Sequence, residues 1–266
     1  TLFPLTCEEI GPAAPLTHFI ERGGLPLVVD AGDDWDDVLE AYALTYLKEE
    51  IQAEALVRNL STFSRFLQCA ALANAQVTNV SAIARDAGVQ RPTVQGYFQV
   101  LQDTLLATLL PAWRPRARMK EQAHSKFYWF DAGVARAMAG SLRLPVSQEA
   151  RGSLLETFVL QELRAYLHYR KLAGELSYWR TPSGTEVDFV WCSAPGATPV
   201  GIEVKASKRW KTEFNKGLHA LGEAAPGLTK FGIYLGDAPL AAGGVRVLPL
   251  RRFLDALYAG DILRQQ

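Results

Sequence analysis

The chain has 266 residues, 48% of them apolar and 21% charged. That is enough for two domains with cores of ordinary size, and it excludes a disordered, collagen-like or disulfide-framework protein. No run nears the ~18 apolar residues of a membrane helix, and the opening TLFPLTCEEI lacks the pattern of a signal peptide, so a soluble cytoplasmic protein with no membrane partner is expected. The 28 basic and 28 acidic residues cancel, yet residues 1–50 hold 2 basic and 11 acidic ones while the rest of the chain holds 26 and 17. A moderately basic body permits phosphate contacts, but affinity depends on where cations cluster. Cys7, Cys69 and Cys192 lie far apart without CxxC spacing, which fits reduced packing roles and gives no hint of zinc.

Taken in chain order, residues 1–37 are rich in Pro and Gly (Gly23, Gly24) and end in the acidic run Asp33, Asp34, Asp36, Asp37. They read as irregular, either the tail of something upstream or a strap on the body of the chain, and the initial Thr suggests trimming. From Trp35 to Leu72 apolar residues recur at three- and four-residue steps, including Leu44, Leu47, Ile51, Ala55, Leu60, Phe63 and Leu67, which predicts helices forming a bundle. In SAIARDAGVQRPTVQGYFQVLQDTLL, Ser81 can cap a helix, Gly88 suits a tight turn and Pro92 can open the next helix. That is a helix-turn-helix, and an apolar strand from Leu105 to Trp113 would extend it to a winged helix. Arg114, Arg116, Arg118 and Lys120 come next, then a strand over Phe127–Phe130 and a short helix for which Asp131 is the expected cap rather than a catalytic group. Beyond Gly152 the order is helix (Ser153–Arg170), strands (Glu175–Arg180, Glu186–Trp191, Val200–Ala206), helix (about Thr212–Ala224), strands (Phe231–Leu235, Val245–Leu250) and a terminal helix. The predicted fold class is mixed α/β: residues 38–150 form a helical, winged-helix part and residues 151–266 an αβββαβ domain.

Chemistry concentrates in that last part. On the 153–170 helix, Glu156 points toward the apolar side between Leu163 and Leu167, where a carboxylate needs a partner. Alternation in EVDFVW puts Glu186, Asp188 and Val190 on one face, and in PVGIEVKAS it puts Glu203 and Lys205 on one face with Ile202 and Val204 opposite. If residues 192–199 make a hairpin loop, Asp188 approaches Glu203, and a helix packed on that face would add Glu156. Three carboxylates and a lysine suit Mg²⁺ or Mn²⁺ and in-line phosphodiester hydrolysis, with Lys205 beside the attacking water. The alternative is a structural ion-pair network in which Lys205 neutralises one acid. Glu186 is a weaker candidate, better placed to pair with Arg180 or Lys205.

Helix with acid, strand, strand with Asp, strand with Glu-x-Lys, helix, strand resembles the core of the PD-(D/E)xK, restriction-endonuclease-like superfamily, whose motif residues fall on Glu156, Asp188, Glu203 and Lys205. More narrowly, GGLPLVV, the helix-turn-helix, KFYWFDAGV, GSLLETFVLQEL, YWRTPSGTEVDFV and GIEVKAS, in this order over essentially the whole chain, resemble the C-terminal region of a family of prokaryotic AAA-like P-loop ATPases, a region described as a domain of unknown function. The resemblance implies an ATPase domain upstream of LFPLTCEEI. No GxxxxGK[ST] stretch occurs in the chain itself, so ATP enters only through that other domain. Members of the superfamily can keep the fold and lose cleavage, so a non-catalytic DNA- or protein-binding module stands beside the nuclease reading.

DNA contacts are expected from Arg91, Thr93, Gln95 and Gln99 on the outward side of the second helix, since Val94, Phe98 and Leu101 must face the core. With one arginine there, a structural or protein-docking role weighs equally, unless the run from Arg114 to Lys120 forms a basic wing. Lys208, Arg209, Lys211 and Lys216 follow the Glu-x-Lys strand as a phosphate-backbone track or as solvated lysines. Tyr178, Trp179 and Trp191 read as core. His18, His124, His168 and His219 form no HExxH, and no GxSxG elbow occurs, which leaves protease, esterase and zinc chemistry unsupported.

Overall fold

The computed structural model describes residues 3–12, 15–46, 59–114 and 124–264. The architecture is mixed α+β, and the chain divides into two compact units. Unit 1 takes residues 1–109 and 124–161, and unit 2 takes residues 110–123 and 162–266.

Unit 1 opens with helices Cys7–Ile10, Leu16–Arg22 and Pro26–Asp30, which correct the expectation of an irregular stretch, and Trp35–Ala41, where the predicted helical pattern begins. They have four to seven residues each, too few to display a period, and their signals are terminal ones. Thr6 and Glu9 make a reciprocal capping box, and Pro26 sits in the first turn of its helix. The segment is strapped down: Leu5 N–H donates to Gly24 O at 2.7 Å, and the buried Arg136 guanidinium donates to the carbonyls of Glu21, Ser141, Leu142 and Leu144. Part of the acidic run is neutralised by Arg143, which meets Asp36, Asp37 and Glu40. The Leu16–Arg22 helix packs against the Ala132–Met138 helix so closely that a Cβ on Gly133 would stand 2.0 Å from Arg22 O. Gly133→Ala must therefore push two backbones apart, and it is expected to cost about 3 kcal/mol, read as a lower urea midpoint at unchanged m.

The helix-turn-helix comes next. Leu60–Leu72 is capped by Asn59, β1 is Gln76–Val77, and Val80–Ala87 leads through Gly88 (φ 68, ψ 35) to Arg91–Asp103, which has Pro92 in its first turn. The cap of the Val80–Ala87 helix is Asn79, whose side chain accepts from Ala82 N–H, not Ser81. Leu105 adopts φ 61, so the strand expected from there begins only at Ala107. β2 is Ala107–Leu110, and with β3 (Lys126–Trp129) it completes a three-stranded sheet of order β1-β3-β2. Phe63, Phe66, Tyr97, Phe98, Phe127 and Trp129 form a network of tilted and edge-to-face ring contacts at 4.9–5.8 Å between centroids, the hydrophobic centre of this part. Leu47, Ile51, Ala55, Arg116, Arg118 and Lys120 lie outside the described residues.

A long helix, Gln148–Tyr169, runs through the boundary between the units. It starts five residues before the expected Ser153, on the polar stretch QEARG. Thr157 and Gln161, placed on its polar stripe, are buried and bond to Asn74 and to the carbonyls of Pro4 and Leu5.

Unit 2 is built on a six-stranded sheet of order β4-β5-β6-β7-β9-β8: β4 Glu175–Arg180, β5 Glu186–Cys192, β6 Val200–Lys205, β7 Thr229–Tyr234, β8 Leu240–Ala242 and β9 Val245–Pro249. β4, β5 and β6 pair antiparallel, β6, β7 and β9 pair parallel, and β8 returns antiparallel on β9. Residues 111–113 lie along the outer edge of β4, with Trp113 N–H donating to Tyr178 O at 2.6 Å and Tyr178 N–H donating to Pro111 O at 2.9 Å. The helix Lys216–Ala224 packs its Leu218 and Leu221 over Gly201 of β6, and the amphipathic helix Leu250–Tyr258 succeeds β9.

Candidate functional site

Asp188 and Glu203 stand on neighbouring strands. The β5–β6 ladder pairs Trp191 with Val200, Val190 with Gly201 and Phe189 with Ile202, and one further step puts Asp188 opposite Glu203. There the strands part, and the Asp188 carboxylate takes over from the backbone by accepting the Val204 N–H at 2.8 Å. This bond orients one carboxylate oxygen and stabilises its charge.

Both carboxylates are buried, with Asp188 5% and Glu203 6% exposed. Lys205 reaches them from two positions along β6, with Nζ 2.5 Å from Glu203 Oε1 and 3.7 Å from Asp188 Oδ2. Strand alternation therefore holds in space: the pair of strands delivers two acids and one ammonium to a single face. Two carboxylates and one ammonium thus share a site mostly shielded from water. Glu186 lies on the same strand as Asp188 but pairs with Arg180 at 3.6 Å, as expected for it.

One wall of this cluster escaped the sequence reading. Glu203 pairs across β7 with Gly232, and a Cβ there would meet the Trp210 ring at 2.5 Å. The missing side chain lets the indole lie on the strand beside Glu203. Trp210 Nε1–H donates to Asn215 Oδ1 at 2.9 Å, and the fully buried Asn215 donates to Ala242 O at 2.9 Å. Phe214 meets Trp210 edge to face at 5.4 Å. The interleaving of aromatics and cations in KRWKTEFNK was the available signal.

Lys208, Arg209, Lys211 and Lys216 are exposed around this stretch. Lys211 pairs with Glu213 at 3.3 Å, so the surface there stays cationic overall. In unit 1, Arg91, Thr93, Gln95 and Gln99 are all exposed, while Val94, Phe98 and Leu101 are buried, the division of faces that periodicity predicts.

Glu156 belongs to unit 1. Its Oε2 accepts from Lys126 Nζ at 2.7 Å and from the Tyr128 hydroxyl at 3.1 Å, both on β3. The expectation that this acid needs a partner is met by a lysine that is itself almost fully buried. Asp131, 0% exposed, accepts the N–H groups of Val134 at 3.0 Å and Gly24 at 2.7 Å. Burial pushes its carboxyl up from 3.8 to about 6, against the lowering effect of those backbone donors.

Among the described residues, no group of three or more His, Cys, Asp or Glu is placed to hold a metal ion, so the acids that meet are a pair, and no helix is long and apolar enough to cross a membrane. No curated protein and no solved structure matches the chain. Residues 14–145 are similar to a family described as a domain of unknown function (DUF8612), and residues 151–253 to a second one described in the same words (DUF4143).

Proposed function

We propose that the chain is the DNA-acting region of an AAA-like P-loop ATPase and that unit 2 is a Mg²⁺-dependent phosphodiesterase of the nuclease type. The observation that carries this reading is the convergence of Asp188, Glu203 and Lys205 on one buried sheet face beside a cationic rim. A Mg²⁺ site normally uses one or two protein carboxylates and completes its shell with water and substrate phosphate, so the two acids fit that ion although they are not a closed cage. Mn²⁺ suits the same oxygen donors.

Asp188 and Glu203 would hold the cation, with Asp188 fixed by the Val204 N–H. When bound, the ion lowers the pKa of water and counters charge on the phosphoryl group. Lys205, relieved of part of its duty toward the acids, orients the attacking water and offsets negative charge developing in the transition state. Lys208, Arg209 and Lys211 hold neighbouring phosphates, and the order of the described elements from Leu60–Leu72 to Lys126–Trp129, helix-strand-helix-helix-strand-strand, is that of a winged helix that would present Arg91, Thr93, Gln95 and Gln99 to a groove. ATP acts through the upstream domain.

A second reading has its own support. Lys205 already sits on both acids, as it would in a structural ion-pair network, and a module built that way binds DNA or a protein without cutting. Cleavage of supercoiled plasmid and of a labelled single strand in Mg²⁺ or Mn²⁺ separates the two. Wild-type cleavage reduced at least ~100-fold by both Asp188→Ala and Lys205→Ala is the expected result. Cleavage that survives both substitutions, or is absent from wild type even with the ATPase domain added, assigns the chain to the binding module.

A further inference from the structure

Resting on the reading that unit 2 acts on nucleic acid, we infer that Phe214 is the seat of an unpaired base and that the substrate is single-stranded at this site. Phe214 lies in a short 3-10 turn, Thr212–Asn215, and is half-buried. Two cations stand over its ring at the outer limit of a cation–π contact, Lys205 Nζ at 5.9 Å and Lys211 Nζ at 5.8 Å from the centroid. Lys205 is the residue that holds the acid pair, so the ring stands one side chain away from the reacting position. Trp210 backs it edge to face, and Trp210 is itself fixed by Asn215 and by the bare backbone of Gly232.

These features give the ring a held orientation between two phosphate-binding groups. A nucleotide strand alternates a phosphate with a flat base, and cation, aromatic, cation matches that alternation, the pattern by which single strands are held without sequence preference. In a duplex each base face is already covered by its neighbours, so the ring has nothing to stack on. Trp210 supports the platform and packs against the core of unit 2, which leaves Phe214 as the contact.

The test is fluorescence anisotropy of a labelled 20-nucleotide single strand and of its duplex, in EDTA so that cleavage plays no part, with the whole chain. Wild type is expected to bind the single strand at least ~10-fold more tightly, and Phe214→Leu, which keeps an apolar side chain against Trp210, to weaken single-strand binding about 5- to 150-fold while leaving duplex binding unchanged. Phe214→Trp should retain the preference. Unchanged melting of each variant shows that it is folded. A single-strand Kd within twofold of wild type in Phe214→Leu overturns the inference, as does equal affinity for the two forms. The combined Lys208→Glu and Arg209→Glu variant keeps the two levels apart: if it weakens both forms while Phe214→Leu weakens neither, only the base seat falls. If no form binds wild type, the nucleic-acid reading falls with it.

Discussion

Asp131→Ala is expected to lower the unfolding free energy by about 3 kcal/mol at about pH 5. Two effects add. The helix Ala132–Met138 loses its N-cap, the bond from Val134 N–H, worth ~1 kcal/mol, and the buried Gly24 N–H loses its acceptor inside the protein, at about 1 to 3 kcal/mol. The same residue makes stability depend on pH in a direction opposite to that of most carboxyls. A folded value of about 6 against an ordinary 3.8 means the fold favours the protonated group. Its stabilising contribution is complete below about pH 4, falls as pH rises, and is gone above about pH 6, a span of about 3 kcal/mol. Asp131→Asn removes this titration, so the stability of wild type relative to Asp131→Asn should decline between pH 4 and pH 7. A difference that is flat over that interval, measured by urea unfolding, would show that burial is not governing this carboxyl.

The second large effect concerns Lys126. Lys126→Met is expected to cost about 3 to 5 kcal/mol, because it takes the buried ammonium away from the Glu156 carboxylate, which it meets at 2.7 Å beside the Tyr128 hydroxyl. Replacing the acid as well, in Lys126→Met with Glu156→Leu, should recover most of the loss, since an apolar pair of similar volume often does as well as a buried ion pair. A double variant no better than the single one would mean that Glu156 carries its stabilising role elsewhere.

Asp131 and Lys126 also mark the two sides of what the sequence made legible. Asp131 as a cap, Gly88 as a left-handed turn, and Asp188, Glu203 and Lys205 on one face were all legible, because each comes from short-range geometry: a cap three residues from its donor, a strand alternating every second residue. The start of β4, β5 and β6 could be read for the same reason. Lys126 could not, since KFYWF alternates nothing and a lysine 3% exposed is a poor prior in any strand. Its reason for burial is an acid thirty residues on, a pairing only tertiary structure reveals. The helices before Trp35 were missed because elements of one or two turns derive their stability from docking rather than from periodicity. β1 and β8, of two and three residues, fail for the same reason. Phe214 was overlooked because an aromatic within a basic loop is distinguished only by the neighbours it is held against.

The path of the chain bears on how the protein can be dissected. Residues 111–113 line β4 of the second unit, whereas residues 124–161 belong to the first before the long helix carries the backbone across again. A fragment beginning at residue 151 would contain every strand of the large sheet yet lack Pro111, Ala112 and Trp113, the short stretch that seals β4. Its outer strand would then offer unmet backbone donors and acceptors to any passing chain. The natural excision is therefore not a single cut, and a soluble isolated second unit would need that short ribbon grafted back on.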